Sequence, residues 1–207
     1  MISLNQMQNQ MPGYRNAEYQ LVLLPDQHLR DRILNLRRDF AAQYKLPYIN
    51  PATHLTLARF NQIRMNEEKL VNRLKTIAMG FSPFKVEIKG FGSYPSHSIY
   101  MNVSSILPVQ KLMKELKTAQ RLMKSGDKEP HFLQEPHFFI ARNLKPWQYE
   151  KGWKEYSHRS ITTRFLADHL LLLKKTDTSQ RLQVLERFEF LNLPVSVSQG
   201  DLFGQLA

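Results

Sequence analysis

The sequence predicts an α+β fold: a bilobal, pseudo-twofold arrangement of antiparallel or mixed sheets with outer helices and a central cleft. Three observations point there. Short segments with strand patterning alternate with amphipathic helical ones, and hairpin-like breaks interrupt the order. A seven-residue frame occurs twice, as Thr53-His54-Leu55-Thr56-Leu57-Ala58-Arg59 and as Pro136-His137-Phe138-Phe139-Ile140-Ala141-Arg142. The length, 207 residues, suits one largish domain or two small lobes.

Residues 1–17, polar and rich in Gln and Asn up to Pro12-Gly13, read as a flexible arm before a single domain at 18–190. The apolar run 19–24, stopped by Pro25, reads as a buried strand. Asp26 is a good N-cap for a helix whose Leu29, Ile33, Leu36, Phe40 and Tyr44 recur at spacings of three and four, with Arg30, Arg37 and Arg38 on its outer face. A strand over 53–60 follows Pro51, and a second helix opens at Asn66 with Glu67 and Glu68 favouring its dipole. Phe84, Val86 and Ile88 alternate with Lys85, Glu87 and Lys89 until residues 90–95 break the strand. Ile99, Met101 and Val103 resume the alternation, which predicts an antiparallel pair.

An amphipathic helix through Val109, Leu112, Met113, Leu116, Ala119 and Met123 leads to a strand over 137–144. A Trp- and Tyr-rich helix opens at Pro146, and two last strands are expected near 165–174 and 182–190. Residues 191–207 form a tail of mixed composition.

Composition narrows the function classes. Twenty-nine Lys and Arg against 18 Asp and Glu give a net charge of +11, and no Cys is present. A thiol nucleophile, a disulfide scaffold and a Cys-based metal site are therefore excluded. The positive excess favours anionic partners without choosing among nucleic acid, nucleotides and anionic membrane. The first residues lack the basic and apolar regions of a signal peptide, and the longest aliphatic run is 170–173. A cytoplasmic protein without a membrane span is the expectation, with a monomer favoured. No glycine-rich nucleotide loop and no H-E-x-x-H motif occurs, so neither a cofactor nor a metal is expected.

The repeated frame carries the chemistry. Alternate strand residues share a face, so His54, Thr56 and Ala58 should point together, as should His137, Phe139 and Ala141. A pseudo-twofold would pack each apolar face under its own helices and bring the two histidines face to face across a cleft. Two imidazoles flanking one phosphodiester can take a proton from water on one side and protonate the leaving oxygen on the other. The Thr56 hydroxyl would donate to a phosphoryl oxygen as charge builds there. Strict alternation puts Arg59 and Arg142 on the opposite face, where an exposed or paired strand-end role competes with phosphate binding unless a bulge redirects one.

These residues resemble the paired H-x-T/S signatures of the 2H phosphoesterase superfamily, which includes the 2′-5′ RNA ligase and RNA 2′,3′-cyclic phosphodiesterase group. The similarity runs over about residues 18–190 and includes the turn Phe91-Gly92-Ser93-Tyr94-Pro95-Ser96. It implies a bilobal fold with a central cleft and metal-independent cleavage or transfer at RNA 2′,3′-cyclic phosphate ends or small cyclic or 2′-5′-linked nucleotides. His54, His137 and Thr56 become the catalytic set, and Phe139, Tyr94, Arg59 and Arg142 candidates for substrate binding. The second frame departs from the pattern, with Phe139 where Thr or Ser is expected.

Three consequences of that departure stay open: an enzyme relying on Thr56 and a nearby cation, an enzyme whose Phe139 stacks on a base, or an RNA- or nucleotide-binding descendant without turnover. A basic scaffold or anionic-lipid binder would require the two frames to be coincidence. His131, Glu135 and His137 match no standard metal spacing. Lys111, Lys114, Lys117, Arg121 and Lys124 read as the solvated face of a helix, and Trp147 and Trp153 as core or base pocket.

Overall fold

The computed structural model describes residues 15–47, 53–175 and 181–194. Most of the expected arm and tail lies outside those residues. The chain order is β1 (Asn16–Leu23), α1 (Gln27–Gln43), β2 (Leu55–Ile63), α2 (Glu67–Met79), β3 (Phe84–Tyr94), β4 (Ser98–Val103), α3 (Ile106–Lys117), α4 (Gln120–Met123), β5 (His131–Phe132), β6 (His137–Ala141), α5 (Pro146–Tyr156), β7 (Thr162–Ala167), β8 (His169–Lys175) and β9 (Leu182–Glu189). Two sheets form, ordered β5-β2-β1-β8-β9 and β6-β4-β3-β7, and every pairing in both is antiparallel. One continuous apolar core reaches from Ala17 to Phe190 and joins both sheets. The α+β class and the β3–β4 pair are as the sequence predicts.

Local chemistry explains most element ends. The Asp26 carboxylate accepts from the Leu29 N–H at 2.9 Å and caps α1. Pro146 opens α5, where Gln148 accepts from the Lys145 N–H at 2.9 Å and donates to the Tyr44 carbonyl at 2.8 Å. That buried amide fastens α5 to the end of α1. Tyr44 and Gln43 both donate to Glu155 at 2.7 Å, and Phe40 meets Tyr156 edge-on at 5.3 Å.

Several expectations need correction. The first strand begins at Asn16, so the last residues assigned to the arm are already in the sheet. The second begins at Leu55 and runs on to Ile63, leaving Thr53 and His54 at its entry. Gly90 does not end β3: at φ +70° it occupies a bulge, where glycine meets no steric penalty, and pairing resumes from Phe91 to Tyr94. The helix through Val109 and Met123 breaks at Thr118, whose hydroxyl bonds the Glu115 carbonyl at 2.6 Å in place of a further turn. β6 stops at Ala141, close before Asn143 in a left-handed conformation.

The expected strand over 165–174 is two strands in different sheets. β7 pairs with β3, Asp168 redirects the chain, and β8 runs between β1 and β9. Leu170 and Leu172 face the main core while Leu171 and Leu173 join Val22 on the other side, so alternation is absent there because both faces are covered.

The helices also lie otherwise than expected. α1, which follows a strand of the five-stranded sheet, packs on β6 and β7 of the four-stranded one, beside α5. α4, between β4 of the four-stranded sheet and β5 of the five-stranded one, packs on β2, where Gln62 donates to the Leu122 and Lys124 carbonyls at 2.6 and 2.9 Å. α1 thus crosses from one sheet to the other, and α4 stays with the sheet that its following strand, β5, joins.

The seating of α1 depends on close approach of α5 at Gly152, where a Cβ would lie 2.8 Å from the Phe40 ring. Gly152→Val is expected to lower stability by about 1–3 kcal/mol through overpacking, read as a lower midpoint in denaturant unfolding. An unchanged midpoint would show that the helix pair yields freely.

Candidate active site

The two repeated frames enter parallel roles through the same irregularity. In β2, Leu21 pairs with Ala58 and Val22 with Thr56, so Leu57 is an extra residue. In β6, Ile99 pairs with Ala141 and Tyr100 with Phe139, so Ile140 is extra. A bulge inverts the facing of every later side chain. Ala58 and Ala141 consequently turn into the core, and Arg59 and Arg142 turn to the side that Thr56 and Phe139 face. Strict alternation had placed both arginines opposite the histidines and both alanines beside them; the paired bulges correct this.

His54, Thr56, Arg59, His137, Phe139 and Arg142 together line one cleft of about 540 Å³. Gln20, Arg37, Leu46, Pro47 and Leu182 are among the other residues of its walls. A larger open groove of about 720 Å³, on the outer side of α1 between His28 and Ile161, contains none of the paired residues. The frame chemistry, and not the size of a depression, locates the site.

The cleft is cationic. Among the described residues neither Arg59 nor Arg142 has a carboxylate at ion-pair distance. Arg37, on α1, is 7 % exposed and its Nε donates to the Phe139 carbonyl at 2.8 Å. Its periodic place on an apolar helix face, where a cation is costly to bury, was the sequence signal for it; the amphipathic reading assigned it to the outer face.

Burial depresses the His54 pKa to about 4, with Arg59, Arg37 and Arg142 adding repulsion. His137 is lowered chiefly by burial and further by Arg142, while the Glu135 carbonyl opposes the shift. That carbonyl lies 2.6 Å from His137 Nδ1, which therefore carries the proton and leaves Nε2 to exchange it. Nε2 is buried and has no hydrogen-bond partner among the described residues.

Aromatic rings hold His137. Tyr100 lies 4.3 Å from it, Phe139 meets it edge-on at 4.3 Å and Tyr94 at 5.4 Å. Tyr94 is not among the cleft-lining residues; it stands behind the imidazole. Tyr100, absent from the sequence-based candidates, owes its position to Gly92, where a Cβ would come within 2.6 Å of its ring. Trp153 packs on the core and Trp147 is exposed, and neither reaches the cleft. The lysine and arginine face of α3 and α4 is exposed. Among the described residues no group of three or more His, Asp or Glu is placed to hold a metal, and no helix is long and apolar enough to cross a membrane.

Comparison with known proteins shows the family and the fold. The model of the 2′-5′ RNA ligase superfamily matches residues 25–179. Escherichia coli LigT in its apo form is 15 % identical, with a TM-score of 0.60 over 84 % of this chain and 97 % of that one. LigT complexed with 3′-AMP is 14 % identical, with a TM-score of 0.60 over 85 % and 99 %. TT0787 of Thermus thermophilus is 16 % identical, with a TM-score of 0.61 over 84 % and 98 %. At such identities the similarity shows a shared fold. No curated protein matches the sequence.

Because Arg59 is the foremost charge acting on His54, Arg59→Gln should raise the His54 pKa from its depressed value toward 6.5. Titration of the imidazole signals by NMR checks this. A His54 pKa that stays put or falls would mean the arginine does not set its charge state.

Proposed function

The chain belongs to the 2′-5′ RNA ligase superfamily, and on that premise we propose that it is a metal-independent phosphodiesterase acting on 2′,3′-cyclic phosphate RNA ends or small cyclic or 2′-5′-linked nucleotides. The observation that carries this reading is the meeting, in one cleft, of two histidines, a threonine and two arginines without a carboxylate partner among the described residues. Unneutralised cations in a partly desolvated pocket are costly without an anion and strengthen its binding. LigT has been crystallised as complexes with 3′-AMP, ATP, NADP+ and phosphate. A nucleotide in this chain would set its phosphate among the histidines and arginines and its base toward Leu46, Pro47 and Leu182.

The electrostatics divide the two histidines. Burial, and after it three arginines, keep free His54 unprotonated, which assigns it as the base: it takes a proton from water as the new O–P bond forms. Burial lowers His137 as well, but the Glu135 carbonyl on Nδ1 opposes that shift, which assigns it as the acid: once protonated, its Nε2–H passes to the ribose oxygen as the ester bond to phosphorus breaks. Thr56, Arg59 and Arg142 hold the non-bridging oxygens, where negative charge grows. With a ribose hydroxyl in place of water, the same cleft runs the reverse transfer and joins ends, so ligation needs no further group.

Free His54 and His137 both titrate below the ordinary imidazole range. The acid must be protonated in the free enzyme, so kcat/KM for a 2′,3′-cyclic nucleotide should peak on the acid side of pH 6.5. Bound phosphate offsets the arginines and should move the kcat profile to higher pH. Activity should persist in EDTA, and His54→Ala and His137→Ala should each lower kcat by about 10²–10⁴-fold. Lack of turnover by the parent over cyclic and 2′-5′-linked substrates would sink the reading.

Phe139 in the second frame favours one alternative, nucleotide or RNA binding without turnover. In that case binding would survive both histidine substitutions and weaken steeply with salt.

A further inference from the structure

The second frame lacks a hydroxyl at the position where the first frame has Thr56, yet the residue found there is not merely a gap in the site. Phe139 touches three of the groups that define the cleft. Its ring lies beneath the Arg142 guanidinium, whose central carbon is 3.7 Å from the ring centroid. Its edge meets the His137 imidazole, with centroids 4.3 Å apart. Its carbonyl accepts from Arg37 Nε at 2.8 Å.

The stacked contact exists because of the bulge. Residues three apart lie on opposite faces of a regular strand, but the extra residue Ile140 brings Phe139 and Arg142 to the same side. Stacking fixes the plane of a guanidinium without using its N–H donors, which radiate from the edge. A carboxylate partner would orient the arginine but neutralise it and occupy those donors. Among the described residues Arg142 has no such partner, so its charge and its donors remain for an anion. A charged donor also makes a stronger hydrogen bond to an oxyanion than a hydroxyl does.

We propose that Phe139 is a positioning residue: by stacking on Arg142 it presents that guanidinium to the substrate phosphate in place of the hydroxyl the second frame has lost. This rests on reading the cleft as a phosphodiester site. The first frame holds the phosphate with a hydroxyl and an arginine; the second does so with a single arginine locked in place by the ring.

The test compares the parent with F139L, F139T, F139Y, R142Q, R142K and F139L/R142Q. Inorganic phosphate affinity is read from the histidine NMR signals, and kcat and KM are read on 2′,3′-cyclic AMP. F139L and R142Q are each expected to weaken phosphate binding and lower kcat by about tenfold or more, and the double variant should be no worse than R142Q alone. F139T, which rebuilds the hydroxyl and removes the stacking face, should fall below the parent in kcat, while F139Y should recover most of it. Should F139L not fold, the contrast of F139T with F139Y provides the same test, and R142K, whose ammonium keeps the charge but lays no planar face on the ring, should fall between the parent and R142Q.

Independent, multiplicative losses in the double variant, an F139T as fast as the parent, or an R142K indistinguishable from it would each overturn the proposal. A parent that binds phosphate but turns over no substrate overturns the function, while the phosphate affinities still decide the role of Phe139. A parent that does not bind phosphate overturns both.

Discussion

A bulge at the same place in two strands is the constraint on which the site depends. Without Leu57 and Ile140 as extra residues, each frame would send its arginine away from its histidine and its alanine toward it. With them, each strand delivers an imidazole, the residue two further on, and a guanidinium to one side, and still buries Leu57, Ala58, Ile140 and Ala141 in the core. The core therefore stabilises the same distortion that the site requires. α1 crosses from the five-stranded sheet to pack against β6, and β2 and β6 are themselves in direct contact.

The positive charge of the cleft favours anions, and burial together with that charge keeps both histidines below the ordinary imidazole range. Burial and the surrounding arginines hold His54 neutral, and burial does most of the same for His137. On the proposed function, an arriving phosphate would offset the repulsion that the arginines exert and so couple substrate binding to imidazole protonation. The net charge of +11 is spread over helix faces as well as the cleft, and its part is to raise the rate of encounter. Three guanidiniums lining one pocket matter more than the total, because a low dielectric magnifies them.

Much of this was legible in the sequence. The repeat gave both histidines and Thr56, the Asp26 cap and the Pro146 start set helix ends, and alternation in 84–88 and 99–103 predicted the β3–β4 pair that the structure reproduces. What stayed hidden has a common physical cause. Period-two reasoning has no term for a bulge, so Arg59 and Arg142 landed on the wrong face, and Gly90 looked like a strand end when it was a bulge within one. The run 170–173 carries no alternation because β8 is covered on both sides, which concealed the change of sheet at Asp168. Arg37 and Tyr100 were missed because their roles come from partners distant in the chain, a carbonyl on β6 and a glycine on β3. The shared Ala-Arg ending of the frames was the one available clue to the bulges, since identical departures from alternation in two copies imply identical distortion.

The most direct measurement of the central claim is a crystal structure of the chain with phosphate or a nucleotide 2′-phosphate bound. A single anion is expected in the cleft with His54, His137, Thr56, Arg59 and Arg142 all in contact with its oxygens, and with both bulges intact. An anion held elsewhere, or one touched by the histidines while either arginine points away, would contradict it.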